Sequence, residues 1–170
     1  MSNVPWFTVG VLCSLAAGLL GGAPLSRAIG VPPALAVALL VAIGIVLSAT
    51  LTPHRLALEG GALGTGTCDF SRLGLAPVDK LASVNDTSLN ILLFVPLGFT
   101  IALFPRSRMM GIAVIAALVL PFAIETVQLL VPHLARGCQS SDVTDNLTGL
   151  AVGLLGGSAF QVVGPNGRRL

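Results

Sequence analysis

Residues Ile124–Gly157 read IETVQLLVPHLARGCQSSDVTDNLTGLAVGLLGG, and the fold turns on how this stretch is read. It joins the end of one apolar run to the start of another. Glu125 and Gln128 lie inside the first run, Arg136, Asp142 and Asp145 in the connection, and Asn146 at the head of the second. Glycines then recur at Gly149, Gly153, Gly156 and Gly157. In a water-soluble helix such polar groups would need no explanation. At the mouth of membrane-length segments each one does, because a carboxylate there costs several kcal/mol unless it is paired and faces the bundle interior.

The surrounding chain supplies that membrane context. Of its 170 residues 54% are hydrophobic and only 9% charged, and the mean hydropathy is +0.93. Soluble domains carry about 25% charged residues, so this chain lacks the polar surface to dissolve. A net charge of +2, without a basic run or an aromatic platform, speaks against a nucleic-acid partner. No cofactor motif appears, and membrane lipids are the expected surroundings.

Five apolar runs are near the roughly 20 residues that cross a bilayer: about 6–25, 34–51, 88–104, 109–131 and 146–163. The class is therefore all-α, a polytopic membrane helix bundle forming one integral membrane domain over 1–170. Met1 to Phe7 carries no Lys or Arg, so the first run is expected to be retained rather than cleaved as a signal peptide. Pro24 to Pro33 should form the first turn. Pro96 should kink the third helix. Between the second and third runs lies a long polar connection, Thr52 to Thr87, in which 78–85 could form a short interfacial helix.

An odd number of crossings puts the termini on opposite sides. One side receives Arg27, Arg106, Arg108, Arg168 and Arg169 with no acidic residue; the other mixes Arg55, Arg72, Lys80 and Arg136 with six carboxylates. Short loops rich in Lys and Arg stay in the cytoplasm, which places the amino terminus outside and the carboxyl terminus inside. Cys68 and Cys138 then both fall on the outer face, where an oxidising medium allows a disulfide. It would close a loop of roughly 70 residues, for about 4 kcal/mol of chain entropy. Cys13 is expected to pack within the first span as a small apolar residue.

Glu125 and Gln128, at i and i+3, share a helix face. Arg136 is the nearest cation along the chain and could take Glu125 bidentately. Asp145 reads as the N-cap of the fifth helix, and Asn146, Gly149, Gly153 and Gly156 draw one small-residue face for close helix packing. Asn90 opens the third helix from the same side. Singly, these residues have structural uses as an ion pair, a cap or interhelical hydrogen bonds. Together, Asn90, Glu125, Gln128, Arg136, Asp142, Asp145 and Asn146 are expected at one depth and in one pocket.

The ordered set resembles the VanZ-like family of small integral membrane proteins. It comprises Asn90-x-x-x-Phe94-x-Pro96-x-Gly98-Phe99, Glu125-x-x-Gln128, Arg136, and Asp142-x-x-Asp145-Asn146-x-x-Gly149-x-x-x-Gly153. The resemblance covers 86–157, and the first two spans match it only as generic apolar helices. It implies a multi-pass protein of the bacterial plasma membrane and cell envelope, in a family named for a member linked to low-level teicoplanin resistance.

Two functions compete. One is a non-enzymatic protein whose outward pocket binds an amphiphilic ligand, either lipid-linked or a lipoglycopeptide, with Arg136 holding an anionic group and Asn90, Gln128 and Asn146 orienting it. The alternative is an intramembrane enzyme acting on a lipid-linked cell-wall substrate with Glu125, Asp142 or Asp145 as general base. In that alternative two or three carboxylates beside an arginine could also hold a divalent metal. Against it, there is no HExxH helix or Gly-x-Ser-x-Gly elbow, and His54 and His133 lack metal-ligand spacing, so no metal site is expected. A transporter is disfavoured because no ionisable residue falls at mid-bundle.

Overall fold

The computed structural model describes residues 6–77, 81 and 83–163. Its helices are α1 (Phe7–Ile29), α2 (Pro33–Thr50), a short α3 (Arg55–Gly60), α4 (Asp86–Ala102), α5 (Arg108–Leu130) and α6 (Ser140–Val163). Two short strands accompany them, β1 (Cys68–Asp69) and β2 (Cys138–Gln139). Apart from 81 and 83–85, the short helix expected over 78–85 lies outside the described residues, as do Asp79, Lys80, Arg168 and Arg169. The architecture is an all-α bundle. Helices α1, α2, α5 and α6 are long and apolar enough to cross a membrane; α4 has 17 residues, about 25 Å of helix.

Two helix bounds differ from the hydropathy reading in instructive ways. Helix α1 continues through Pro24 and Arg27 to Ile29 and stops at Gly30, whose φ of 68° and N–H bond to the Ser26 carbonyl form a left-handed cap. Proline is tolerated there because neighbouring groups in a membrane bundle can re-satisfy the freed carbonyl. Helix α6 starts at Ser140, six residues before Asn146, so Asp145 is not its cap but lies in its second turn, fully enclosed. The polar run Ser140–Asn146 had no hydropathy to mark it as helix. Helix α4 opens with a capping box, Asn85 accepting from the Ser88 N–H at 3.0 Å, and runs unbroken past Pro96.

Small residues set the helix contacts. On α1, Ser14, Gly18, Gly22 and Ser26 are buried at steps of four, and a Cβ on Gly18 or Gly22 would collide with Val41 or Val37 of α2. Helices α4 and α6 approach backbone to backbone: a Cβ on Gly149 would strike the Ile91 carbonyl, and one on Gly153 the Val95 carbonyl. Gly98 faces Gly153 across the same seam. Gly156, expected on this face, is not part of it; a Cβ there would come no nearer than 3.8 Å to Phe99. Gly157 takes its place, against Phe99 and Ala102. The close face follows steps of four, because residues four apart stay nearly in register along a helix.

The larger core cluster is Ala42, Val46, Phe94, Leu97, Ile101, Ala117, Ile124 and Leu150, drawn from α2, α4, α5 and α6; a smaller one of Val31, Ala36 and Phe104 lies apart from it. Outside them, large apolar side chains face outward: Leu19 and Leu20 on α1, Ile115 and Phe122 on α5, Leu155 on α6. An outer surface made of large apolar side chains suits a lipid surround and no aqueous one. Cys13 is exposed on α1, contrary to the expected packing, because the buried stripe of that helix is occupied by glycine and serine.

Candidate functional site

Four helix ends meet at one end of the bundle: the close of α2, the first turns of α4, the last turns of α5 and the first turns of α6. The segment after α2 is laced over them. His54 N–H bonds the Leu134 carbonyl at 2.9 Å, and Gly64 N–H bonds the Pro132 carbonyl at 2.7 Å. Strands β1 and β2 pair in parallel with Cys68 opposite Cys138. The two cysteines form a disulfide with Cα atoms 4.5 Å apart, within the range a disulfide needs.

Each expected site residue is found in this layer. Gln128 is buried and donates from Nε2 to the Thr50 carbonyl at 3.0 Å, the carbonyl left open where α2 ends. Arg136 donates from Nε to the Thr52 carbonyl at 3.1 Å. Burial pulls its guanidinium below the ordinary arginine value, while the Asp142 and Asp86 carboxylates act the other way. Glu125, also buried, accepts through Oε2 from the Gln139 N–H at 2.7 Å. Asn90 is the hydrogen-bonding neighbour of the Asp142 carboxyl. Asp145 and Asn146 are each only 1% exposed.

The pairing of charges is not the one read from chain proximity. Glu125 and Arg136 make no ion pair; their partners are a backbone N–H and a backbone carbonyl. The cation that reaches a buried carboxylate is Arg72. Its Nη2 stands 2.5 Å from Asp145 Oδ2, and its own carbonyl accepts from the Ser140 hydroxyl at 2.7 Å. Sequence reasoning passed over Arg72 as one charge among many in a long loop. The available signal was its position four residues after Cys68, which the disulfide ties to the start of α6.

Four buried side-chain atoms have no hydrogen-bond partner among the described residues: Gln128 Oε1, Arg136 Nη2, Asp145 Oδ1 and Asn146 Oδ1. Buried polar atoms are nearly always satisfied, and each orphan forfeits on the order of 1–3 kcal/mol of solvation. All four belong to the expected site. Among the described residues no three His, Cys, Asp or Glu side chains cluster closely enough to hold a metal ion. Beside this layer, a shallow, largely open apolar groove of about 500 Å³ is lined by Leu73, Gly74 and Leu75 and by Leu147, Ala151 and Leu155 of α6.

A family model described as VanZ/LLP1 matches residues 35–161. That is 127 of the 170 residues, and it takes in α2 as well as the motif region 86–157. Neither a curated protein nor a solved structure matches the chain. With three quarters of its length matched, including every residue of the layer described above, the chain belongs to the VanZ/LLP1 family.

Proposed function

We propose that this VanZ-like envelope protein binds an amphiphilic, lipid-linked or lipoglycopeptide ligand in an outward-facing pocket formed by Asn90, Glu125, Gln128, Arg136, Asp142, Asp145 and Asn146. The observation that carries the reading is the set of four orphaned buried polar atoms on Gln128, Arg136, Asp145 and Asn146. A purely structural polar cluster would satisfy its own members, because an unpaired buried group costs more than an apolar replacement. Their collection in one layer suits a ligand headgroup, while the groove under Leu73–Leu75 suits an acyl chain. A role in the response to teicoplanin-type glycopeptides, which carry both a polar core and an acyl chain, follows as the cellular expression of such binding.

The catalytic alternative has less support. No observation singles out a general base: Glu125 Oε2 accepts a backbone N–H, the Asp142 carboxyl is bonded by Asn90 and Asp145 Oδ2 by Arg72, and the one carboxylate oxygen left over, Asp145 Oδ1, is counted above with the acceptors of the pocket. The test is direct binding. Bacterial membrane lipids of each headgroup class, and teicoplanin, are titrated onto the purified protein in detergent and read by native mass spectrometry. At least one is expected to bind saturably, and roughly tenfold more weakly to Arg136→Ala and Asn146→Leu, a loss of one charge-assisted hydrogen bond. Saturable binding by none of them overturns the reading, as does unchanged affinity in both variants.

A further inference from the structure

The charges of the site point to the chemistry of the headgroup. Asp142 stands within electrostatic reach of Glu125, Arg136, Asp145, Asp86 and Arg72. Two guanidinium groups therefore share this layer with four carboxyl groups, and one pair of them, Arg72 and Asp145, is in direct contact. The orphaned atoms lean the same way: three are acceptors, Gln128 Oε1, Asp145 Oδ1 and Asn146 Oδ1, and only Arg136 Nη2 is a donor. The orientation of Gln128 is fixed, since its Nε2 faces the Thr50 carbonyl and the flipped amide would set two oxygens against each other.

A dianionic headgroup, such as a phosphomonoester or a pyrophosphate, would deepen the carboxylate excess and leave the three acceptors without donors. What the site lacks is N–H donors carrying positive charge, together with one acceptor for Arg136. We infer that the ligand is a zwitterionic lipid with a primary ammonium headgroup. Its N–H donors meet the acceptors around Asp142 and Asp145, its phosphodiester meets Arg136 Nη2, and an acyl chain lies in the groove between Leu73–Leu75 and α6. The groove adjoins the charged layer along the chain, although none of its lining residues carries an orphaned atom. Arg72 precedes Leu73, and Thr144, at the groove's head, precedes Asp145; Leu147, Ala151 and Leu155 continue its wall.

This inference rests on the pocket reading above, and the experiment separates the two. Phosphatidylethanolamine, phosphatidylcholine and phosphatidylglycerol with identical acyl chains are titrated onto the purified full chain, with soluble phosphoethanolamine as a fourth arm. The choline headgroup keeps the charge and the phosphodiester but has no N–H, so phosphatidylethanolamine is expected to bind about tenfold more tightly, the worth of one charge-assisted hydrogen bond. It should exceed phosphatidylglycerol by at least as much. Equal binding of the ethanolamine and choline lipids, or tighter binding of the anionic one, overturns the ammonium assignment while leaving a lipid pocket standing. Saturable binding by none of these lipids, nor by any other headgroup class or teicoplanin, overturns the pocket itself. Phosphoethanolamine binding as tightly as its lipid overturns the role of the groove.

Two variants report on the carboxylates. Asp142→Asn should bring the ethanolamine-to-choline preference down toward unity. Asp86→Asn, on an exposed side chain at the first position of α4, should reduce it several-fold. A preference unchanged in the Asp86 variant, and in the Asp142 variant if it accumulates, also overturns the assignment.

Discussion

Arg72 and Asp145, 73 positions apart in the chain, form an ion pair at 2.5 Å in which the carboxylate is 1% exposed and the guanidinium about a quarter exposed. The pair ties the long connection between α2 and α4 to the second turn of α6. It also explains how a carboxylate is held at the mouth of a membrane-spanning helix. Removing one partner of such a pair leaves an uncompensated buried charge.

Arg72→Ala is expected to destabilise the protein by about 3 kcal/mol, the low end of the range for breaking a buried pair because Arg72 keeps partial contact with solvent. Adding Asp145→Asn should restore part of that loss. Thermal unfolding in detergent of both singles and the double variant measures the coupling; additive losses would refute the pairing.

The α4–α6 seam makes a sharp steric prediction. Gly149→Ala and Gly153→Ala place a methyl group against the backbone carbonyls of Ile91 and Val95, which cannot rotate away, and should each cost about 1–3 kcal/mol. Gly156→Ala meets only Phe99, at ordinary contact distance. It should be neutral or slightly stabilising through helix propensity. The three unfolding curves, run side by side, check the assignment of the packing face to Gly157 rather than Gly156.

With Cys68 and Cys138 joined and Cys13 free, thiol titration of the protein denatured without reductant should find one reactive thiol of the three in the chain. Cys68→Ser should lose about 4 kcal/mol on the chain-entropy account of a loop of roughly 70 residues. The same variant should weaken ligand binding, because the disulfide fixes the strand that gives Glu125 its Gln139 partner. Three reactive thiols in protein from an oxidising compartment would remove this support.

Asn146→Leu separates binding from folding. The amide is 1% exposed with Oδ1 unpartnered, so an apolar side chain of similar size should leave stability unchanged or raise it by about 1 kcal/mol, while ligand binding falls. Functional polar groups commonly cost stability in this way. Full binding by the variant would exclude Asn146 from the pocket.

Orientation can be read in intact cells. If the site faces outward, a membrane-impermeant maleimide should label Gly60→Cys, at the exposed end of α3, and spare Ser107→Cys, in the basic turn between α4 and α5. The reverse pattern would invert the topology and place the pocket in the cytoplasm.

Much of the fold was legible in the chain because hydrophobic length is a local property. Runs of about 20 apolar residues have few ways to satisfy their backbone in lipid other than as helices, so the helical bundle, the seam glycines Gly149 and Gly153, and the pairing of Cys68 with Cys138 could be read without coordinates. The start of α6 could not: Ser140–Asn146 is polar, and it is helical because the disulfide-held β2 and the long loop enclose it. Arg136 was the nearest cation to Glu125 along the chain, but proximity in sequence does not choose a charge partner. A loop closed by a distant disulfide brings Arg72 to Asp145 and Gln139 to Glu125, and the open carbonyls of Thr50 and Thr52 claim Gln128 and Arg136. The sequence by itself determined the membrane bundle and the residue types of its polar layer. Only the tertiary structure decided which of those groups are satisfied and which four atoms are left for something else to meet, because satisfaction depends on distances that no local periodicity encodes.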